Sequence, residues 1–557
     1  MRLTGKLTVP PDNTRTVAPA DGVTGTRSPG AIIARAGVLL MVGTAASRIL
    51  GLVRDIVVSA RFGTSGDLDL YVAAFRVPDL VFTLVSGGAL GSALVAVFSQ
   101  ALHGANSGNA DDRTGEVRLV RVAGAVAYGV MVASTLVAAV GMVLAHLIAP
   151  LLGTGFSPDG QDRLAAMIRI LLLQPVLLGT GEVLTRFLHV RGRFVVTAFA
   201  PAAYTGAIVV AALVAPVEMG TEALAWGTVA GAALFLVVQG LDAWHVGFRL
   251  PLAIRSLAGT RDDVAEVLRL MGPRLVGQGA VQLSFVATTR IASFLPAGSL
   301  AALNYAWALA MLPLGAFAMT TANAAFPTFA GQAARGEFAA LASTGRRVIG
   351  AISVAMLPAV AGAFAIGPDA IEVLFGRHAF GPESVHLTAT ALAAYAAGLP
   401  AHGILEVQMR LSFALRDMRT PVVIGVVAMA LNVALATALA PGLGHVGIGI
   451  ALSAAAFIEV VLLGAMLERR LPGVHGDGLG GLLARLGAVA VVAGVAAWGT
   501  STIAREFGIP VGARLLLDCA AFGVSALGAA WALGAREILD TALALARRLG
   551  WRRPPLP

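Results

Sequence analysis

Apolar segments of about twenty residues or more alternate with short polar connections along nearly the whole chain. A helix that crosses a bilayer needs about 20 apolar residues at a rise of about 1.5 Å per residue, and by that measure the pattern predicts about fourteen transmembrane helices. The connections between them are too short to bury a core of their own. The expected fold is therefore an all-α polytopic membrane protein. The predicted spans lie near residues 32–60, 69–102, 118–151, 163–188, 195–216, 222–247, 264–295, 299–330, 346–367, 384–415, 420–440, 446–467, 479–502 and 511–535.

The composition agrees with this pattern. Of 557 residues, 57% are hydrophobic and 13% are charged, against about 25% charged residues in soluble proteins, which excludes an ordinary soluble enzyme. The net charge of +9 comes almost entirely from Arg, since Lys6 is the only lysine. These arginines lie in short clusters between apolar segments, as in membrane proteins, so no nucleic-acid partner is expected. Cys519 is the single cysteine, which excludes an intrachain disulfide and a cysteine metal site.

The arginine clusters also predict the orientation, because Arg and Lys accumulate in short cytoplasmic loops. Every second connection is rich in arginine and the intervening ones are poor in it, with Arg377 and Arg505 as the main exceptions. An even number of spans agrees with both termini being cytoplasmic. The arginines assigned to the cytoplasmic side are Arg113, Arg118, Arg121, Arg191, Arg193, Arg249, Arg255, Arg261, Arg335, Arg346, Arg347, Arg416, Arg419, Arg469, Arg470, Arg547, Arg548, Arg552 and Arg553.

An internal repeat divides the chain. Glu182 and Arg186 are matched by Glu406 and Arg410, a displacement of 224 residues (406 − 182), and Gly220 is matched by Gly444 at the same displacement. The segment around Arg191 matches the one around Arg416 with one residue inserted. Two halves with the same orientation are expected to pack around a path for substrate. The Glu and Arg of each pair are predicted to form i,i+4 salt bridges.

The repeat leads to a division of the chain into five parts. Residues 1–30, rich in Pro and Gly, are expected to be a flexible cytoplasmic tail and not a signal peptide, because the apolar run that follows is long enough to span. Residues 31–250 and 251–470 form the two six-helix halves. Residues 471–540 add two helices, and residues 541–557 form a basic cytoplasmic tail.

Charged side chains inside apolar segments are the candidate functional residues, because each costs about 2.5–3.5 kcal/mol to insert unless it faces a cavity or a partner. In the first span, Arg48 and Arg54 lie roughly 240° apart on a straight helix, so both reach one cavity only if the helix breaks near Gly51. The alternative is that Arg54 pairs with Asp55 or a headgroup and that Arg48 extends to the membrane surface.

Further polar residues lie in other predicted spans. Arg76 in the second span is a candidate, although it could pair with Asp79 three residues later. Arg274 and Arg290 in the seventh span are the candidates of the second half, with Arg290 expected deep in the span. Asn432 could bind an ion, but a hydrogen bond between helices is the simpler interpretation.

Catalytic and nucleotide-binding motifs are missing from the sequence. The histidines lack HExxH spacing, and no Gly-Lys-Ser/Thr motif exists. No cofactor is expected. A transporter of this kind would draw on the membrane potential, on a monovalent cation or on the gradient of its substrate.

Several stretches of the chain match the motifs of a known family: Ser47 to Asp55, Phe62–Gly63, Asp69, Phe75, Pro78, Met271–Gly272–Pro273, Ala292 to Leu295, Gly298–Ser299, Leu374–Phe375, Phe380–Gly381 and Phe413 to Pro421. With these stretches the sequence resembles the MurJ/MviN lipid II flippases over about residues 30–535. The resemblance implies the multidrug/oligosaccharidyl-lipid/polysaccharide exporter fold in the bacterial plasma (inner) membrane. It also implies movement of an undecaprenyl-linked disaccharide-pentapeptide, the peptidoglycan precursor, from the inner to the outer leaflet by alternating access. The lipid bilayer and cell-wall synthesis proteins are the other expected partners.

The resemblance also assigns residues. Arg48, Arg54 and Asp55 match the family's cavity residues directly, and Arg76 stands where the family commonly has Lys. Cationic residues there would bind the diphosphate, since Arg suits phosphate oxygens. The chain departs from the family at Trp307–Ala308, where an Asp-Arg pair is usual, and around Phe82 and Ser86. The family often has an acidic sodium ligand after the position of Asn432, and this residue is also missing here.

These departures leave two alternatives to a lipid II flippase. The chain could carry another polyprenyl-linked saccharide, or it could be a transport-inactive membrane scaffold for cell-wall synthesis. A glycosyltransferase is the least favoured, because no acidic catalytic pair lies in a loop at the membrane surface.

Overall fold

The computed structural model describes residues 29–535, apart from residues 87, 104–111, 250–259 and 477. Within this part of the chain every regular element is a helix, which confirms the all-α fold class. The predicted tails at 1–30 and 541–557 lie outside the described residues, except that Pro29 already begins the first helix.

The helices of the first half run up to His245. Their bounds are α1 Pro29–Phe62, α2 Gly66–Ser86, α3 Gly88–His103, α4 Asp112–Val143, α5 Ala145–Leu152, α6 Pro158–Leu171, α7 Leu173–Val190, α8 Val195–Val214 and α9 Glu222–His245.

The second half and the C-terminal helices follow. Their bounds are α10 Arg261–Ala292, α11 Ser299–Pro313, a π-helical turn Leu314–Met319, α12 Thr320–Ala334, α13 Phe338–Ala365, α14 Gly367–Phe375, α15 Pro382–Ala396, α16 Leu399–Ala414, α17 Arg419–Arg470, α18 Leu479–Glu506 and α19 Val511–Ala532.

Each predicted span coincides with a helix or with helical segments joined end to end. Ten helical stretches of the described residues are long and apolar enough to cross a membrane. One of them, α17, contains two predicted spans. They meet near Gly444, where the backbone leaves the helical region. The helix α2 lies within the bundle but is not among the ten stretches, because its four charged residues lower its mean hydropathy. The chain is thus a multi-pass membrane protein.

The internal repeat is visible in the backbone. Gly192 and Arg416 both have a left-handed conformation just after α7 and α16, and they are 224 residues apart (416 − 192). Gly220 and Gly444 both have a positive φ angle, at the same displacement of 224 residues. The sequence match predicted one inserted residue in the segment around Arg416, and this prediction is wrong. In the backbone the counterpart of Arg416 is Gly192 and not Arg191.

The predicted ion pairs of the repeat are present in both halves. Arg186 contacts Glu182 at 2.8 Å in α7, and Arg410 contacts Glu406 at 2.5 Å in α16. Both pairs lie within one helix at i,i+4 spacing, which confirms the prediction.

The two halves are joined at the end of the bundle where α1 and α10 end. The carboxylate of Asp69 in α2 accepts the backbone N–H groups of Gly298 and Ala301, at 2.6 and 2.7 Å. The hydroxyl oxygens of Thr64 and Ser384 are 2.7 Å apart. The two bonds of Asp69 satisfy free N–H groups at the start of α11. Together with the contact of Thr64 and Ser384 they hold the two halves against each other, so this end of the bundle is closed.

The two C-terminal helices pack outside the halves. The helix α18 lies against α13, and α19 lies against α18 and α14. The buried carboxylate of Asp369 in α14 accepts hydrogen bonds from Ser501 at 2.7 Å and Arg505 at 3.0 Å, and it pairs with Arg514 at 2.8 Å. Because a buried carboxylate is costly without partners, this cluster fixes the two helices to the second half.

Candidate functional site

Two neighbouring cavities lie inside the bundle. The first, of about 210 Å³, we call the charged cavity; the second, of about 300 Å³, we call the aromatic cavity. Arg76 and Asn304 line both, so the two cavities adjoin. The charged cavity is lined by Arg54, Asp55, Val58, Leu68, Tyr71, Val72, Phe75, Arg76, Asp79, Ile208, Ala301, Asn304 and Tyr305. The aromatic cavity is lined chiefly by Arg76, Ser284, Phe285, Thr288, Thr289, Asn304, Trp307, Tyr395, His402, Met429 and Asn432.

Arg54 and Asp55 form an ion pair at the charged cavity. The guanidinium group donates through Nε and Nη2 to Oδ1 of Asp55, at 3.0 and 2.8 Å. The side chain of Arg54 is 36% exposed and that of Asp55 is 13% exposed. The carboxylate holds the guanidinium at the cavity wall while leaving part of it accessible to a ligand.

Arg76 lies between the two cavities. Its guanidinium group is 5.1 Å from the centre of the Phe285 ring, and its buried Nε has no hydrogen-bond partner. Asp79 lines the charged cavity as well, but no ion pair joins it to Arg76 within the described part of the chain. Since a buried donor without a partner costs about 1–3 kcal/mol, this arrangement lowers the stability of the fold and leaves Nε of Arg76 free to donate a hydrogen bond.

The wall of the aromatic cavity centres on Trp307 in α11. The ring of Trp307 makes edge contacts with Tyr395 at 5.4 Å, His402 at 6.2 Å and Phe285 at 6.3 Å between centroids. These residues come from α10, α11, α15 and α16, so this wall forms only when the four helices pack together. Their rings give the wall an extended π surface.

Asn432 forms the hydrogen bond between helices that the sequence suggested. Its Nδ2 donates to Oγ of Ser284 in α10 at 3.0 Å, and the residue is 2% exposed. The carbonyl oxygen Oδ1 is buried without a partner at the aromatic cavity. Asn432 therefore combines a structural bond with a free acceptor. No group of three or more potential metal ligands is found among the described residues.

The other predicted site residues lie elsewhere. The helix α1 runs unbroken through Gly51, so the break that would bring both arginines to one cavity is absent, and Arg48 lines neither cavity. Its guanidinium group lies against Gly315, where an added Cβ would be 2.9 Å from Nη1. Arg290 is exposed in the last turn of α10, not deep in the span as expected. Arg274 lies in α10, but its side chain falls outside the described residues.

Sequence reasoning did not single out several residues of the cavities. Asn304, Tyr395 and His402 line them, and Tyr305 contributes a buried hydroxyl group without a partner. The sequence did offer one signal for a cavity here: Asn304 and Trp307 are three residues apart in an apolar span, so they share one helix face. Tyr395 and His402 carried no such local signal.

The bundle of two repeated halves, with a charged and an aromatic cavity inside it, has the architecture of a membrane transporter. A solved structure of a lipid II flippase MurJ in an inward closed conformation has a TM-score of 0.73 with 19% identity, covering 89% of this chain and 99% of that one. An inward-facing multidrug resistance MATE family transporter of the MOP superfamily has a TM-score of 0.62 with 14% identity, covering 78% and 96%. These likenesses concern the fold.

The profile of the family described as "Lipid II flippase MurJ" matches residues 58–516, and the chain belongs to this family. The probable lipid II flippase MurJ of Vibrio cholerae serotype O1 is 28% identical over 513 residues, which cover 88% of this chain and 94% of that protein. The lipid II flippase MurJ of Burkholderia cenocepacia is 26% identical over 466 residues, covering 82% and 88%. The predicted family is therefore confirmed.

Proposed function

We propose that this protein is a lipid II flippase, which moves the undecaprenyl-linked disaccharide-pentapeptide from the cytoplasmic to the outer leaflet. Membership of the family over residues 58–516 supports this function, as does a similarity that spans 94% of the relative from Vibrio cholerae. The observation that carries the mechanism is the position of Arg76. Its buried Nε has no partner and lies between two cavities that are large enough to take parts of a headgroup.

In this proposal the diphosphate of the lipid binds in the charged cavity. Arg54 keeps part of its guanidinium group accessible, and Arg76 offers a free donor. Arginine matches phosphate oxygens through its planar set of donors. Asp55 positions Arg54, and Asp79 balances the charge when the cavity is empty, so release of the anion remains possible.

Alternating access requires the closed end of the bundle to open. The bonds from Asp69 to Gly298 and Ala301, and the contact of Thr64 with Ser384, join the halves there. We assign this end to the outer side of the inner membrane and both termini to the cytoplasm, and the arginine pattern of the sequence supports this orientation. A C-terminal alkaline phosphatase fusion is then inactive in cells, and an active one contradicts this orientation.

The energy source belongs to the same proposal. Transport depends on the membrane potential or on a monovalent cation, and no cofactor takes part. In proteoliposomes, collapse of an imposed potential with an ionophore then slows lipid movement, whereas exchange of the external monovalent cation tests the second source. Contacts with cell-wall synthesis proteins stay a prediction.

Rescue of a bacterial strain depleted of its own lipid II flippase tests the function. The unchanged chain is expected to restore growth, and Arg54→Ala or Arg76→Ala is expected to abolish rescue at equal expression. Arg485→Ala serves as the matched control, because Arg485 is an exposed arginine of α18. Rescue that persists with Arg48, Arg54 and Arg76 all changed to Ala would rule out the proposed site.

Failure of the unchanged chain to rescue leads to a second measurement. Movement of lipid II and of another polyprenyl-linked saccharide is then compared in proteoliposomes. If only the second lipid moves, that lipid is the substrate and lipid II is not. Movement of neither would favour a scaffold without transport.

A further inference from the structure

The aromatic cavity has a surface unlike that of the charged cavity. Around Trp307, three further rings are arranged edge to face, and Arg76 is the only permanently charged side chain among its described lining residues. Aromatic faces carry partial negative charge, so they attract the slightly positive C–H groups of a ligand. A phosphate or a carboxylate would find little to bind beyond Arg76.

The polar atoms of this wall exclude a purely apolar occupant. Oδ1 of Asn432 is an acceptor without a partner, and Nε of Arg76 is a donor without a partner. An alkyl chain against them would leave both atoms without a hydrogen-bond partner, which is unfavourable for buried polar groups. A neutral ligand with hydroxyl or amide groups supplies both a donor and an acceptor. Sugars combine such groups with flat C–H faces.

The position of the cavity fits the order of groups in the proposed substrate. In a polyprenyl-linked saccharide the first sugar is bonded directly to the diphosphate. Arg76 and Asn304 line both cavities, so a ligand with its diphosphate in the charged cavity has its first sugar next to the aromatic one. The cavity volume of about 300 Å³ lies at the lower end of about 300–1,000 Å³ that is usual for small-molecule sites.

We propose that the aromatic cavity binds the saccharide of the lipid substrate, with Trp307 as the stacking surface and Asn432 as the hydrogen-bond acceptor. This inference rests on the proposed function and extends it from the diphosphate to the sugar.

Equilibrium binding to the full chain in detergent micelles, measured by native mass spectrometry, tests this inference. The probes are undecaprenyl diphosphate, the same lipid with the disaccharide but no peptide, and complete lipid II. Trp307→Ala is expected to weaken binding of the two saccharide-bearing lipids about tenfold, equivalent to roughly 1.4 kcal/mol, and to leave undecaprenyl diphosphate unchanged. Trp307→Phe, which keeps a ring, is expected to restore part of the affinity.

Two controls accompany these variants. Trp498→Ala removes a 61% exposed tryptophan of α18 and is expected to change no affinity. Arg54→Ala is expected to weaken all three lipids, since it acts on the diphosphate. If Trp307→Ala unfolds in a thermal scan, Tyr395→Leu takes its place, because it removes the neighbouring ring of the same wall.

The outcomes separate this inference from the proposed function. Equal weakening of all three lipids by Trp307→Ala, or no weakening, overturns the saccharide site. Weakening of complete lipid II alone assigns the cavity to the peptide and also overturns it. If Arg54→Ala changes the affinity for none of the three lipids, or if the unchanged chain binds none of them, the proposed function is contradicted instead.

Discussion

Asp69 in the first turn of α2 caps the first turn of α11, because its Oδ1 accepts the backbone N–H of Ala301 at 2.7 Å. Its Oδ2 accepts the N–H of Gly298 in the same way, and the residue is 3% exposed. One carboxylate thus joins the two halves at the closed end of the bundle.

Asp69→Asn is expected to destabilise the protein by about 1–3 kcal/mol, because an amide accepts one N–H bond and turns its own NH₂ group toward the other donor. Thermal unfolding in detergent measures the loss. Asp67→Asn is the matched control, since Asp67 is 49% exposed and only pairs with Arg163 at the surface. An equal loss of stability in both variants would show that the buried contacts of Asp69 stabilise the protein no more than a surface ion pair does.

A disulfide between the halves is expected to stop transport. The hydroxyl oxygens of Thr64 and Ser384 are 2.7 Å apart, so Thr64→Cys with Ser384→Cys, in a Cys519→Ser background, places two thiols within bonding reach. Oxidation should abolish lipid movement in proteoliposomes, and reduction should restore it. Each single cysteine variant should ignore the oxidant. Full transport by the crosslinked protein would contradict opening at this end.

Arg76→Met is expected to lose transport without losing stability. The buried Nε of Arg76 has no hydrogen-bond partner, so Arg76→Met removes an unsatisfied donor and keeps an unbranched apolar side chain at this position. Lipid movement should fall at least about tenfold, the effect of losing roughly 1.4 kcal/mol of binding. The unfolding temperature should stay equal or rise. A large drop in that temperature would show that Arg76 supports the fold.

The two left-handed residues of the repeat predict opposite effects. Arg416 has φ 59°, which costs an L-residue roughly 1–2 kcal/mol, so Arg416→Gly should stabilise the protein by about 0.5–1 kcal/mol after the entropy of glycine is counted. Gly192→Ala should destabilise it by about 1 kcal/mol. No atom lies within 4 Å of a Cβ added at Gly192, so a backbone effect is isolated. Changes of the same sign in both unfolding measurements would contradict the equivalence.

The sequence by itself determined the helices, the repeat and two of the cavity arginines. Apolar length is a local property, so each span could be located without knowing its neighbours. Arg54 and Arg76 stood out because a charge in an apolar segment is costly unless it faces a cavity or a partner. The ion pairs of α7 and α16 followed from i,i+4 spacing alone.

Only the tertiary structure decided which polar residues share a cavity. Arg48 was as conspicuous as Arg54, but the unbroken helix α1 turns it toward Gly315 instead. Trp307, Tyr395 and His402 come from three different helices, and their common wall results from the packing of those helices. Periodicity describes one face of one helix, whereas a cavity depends on how several faces meet, and that is a property of the folded bundle.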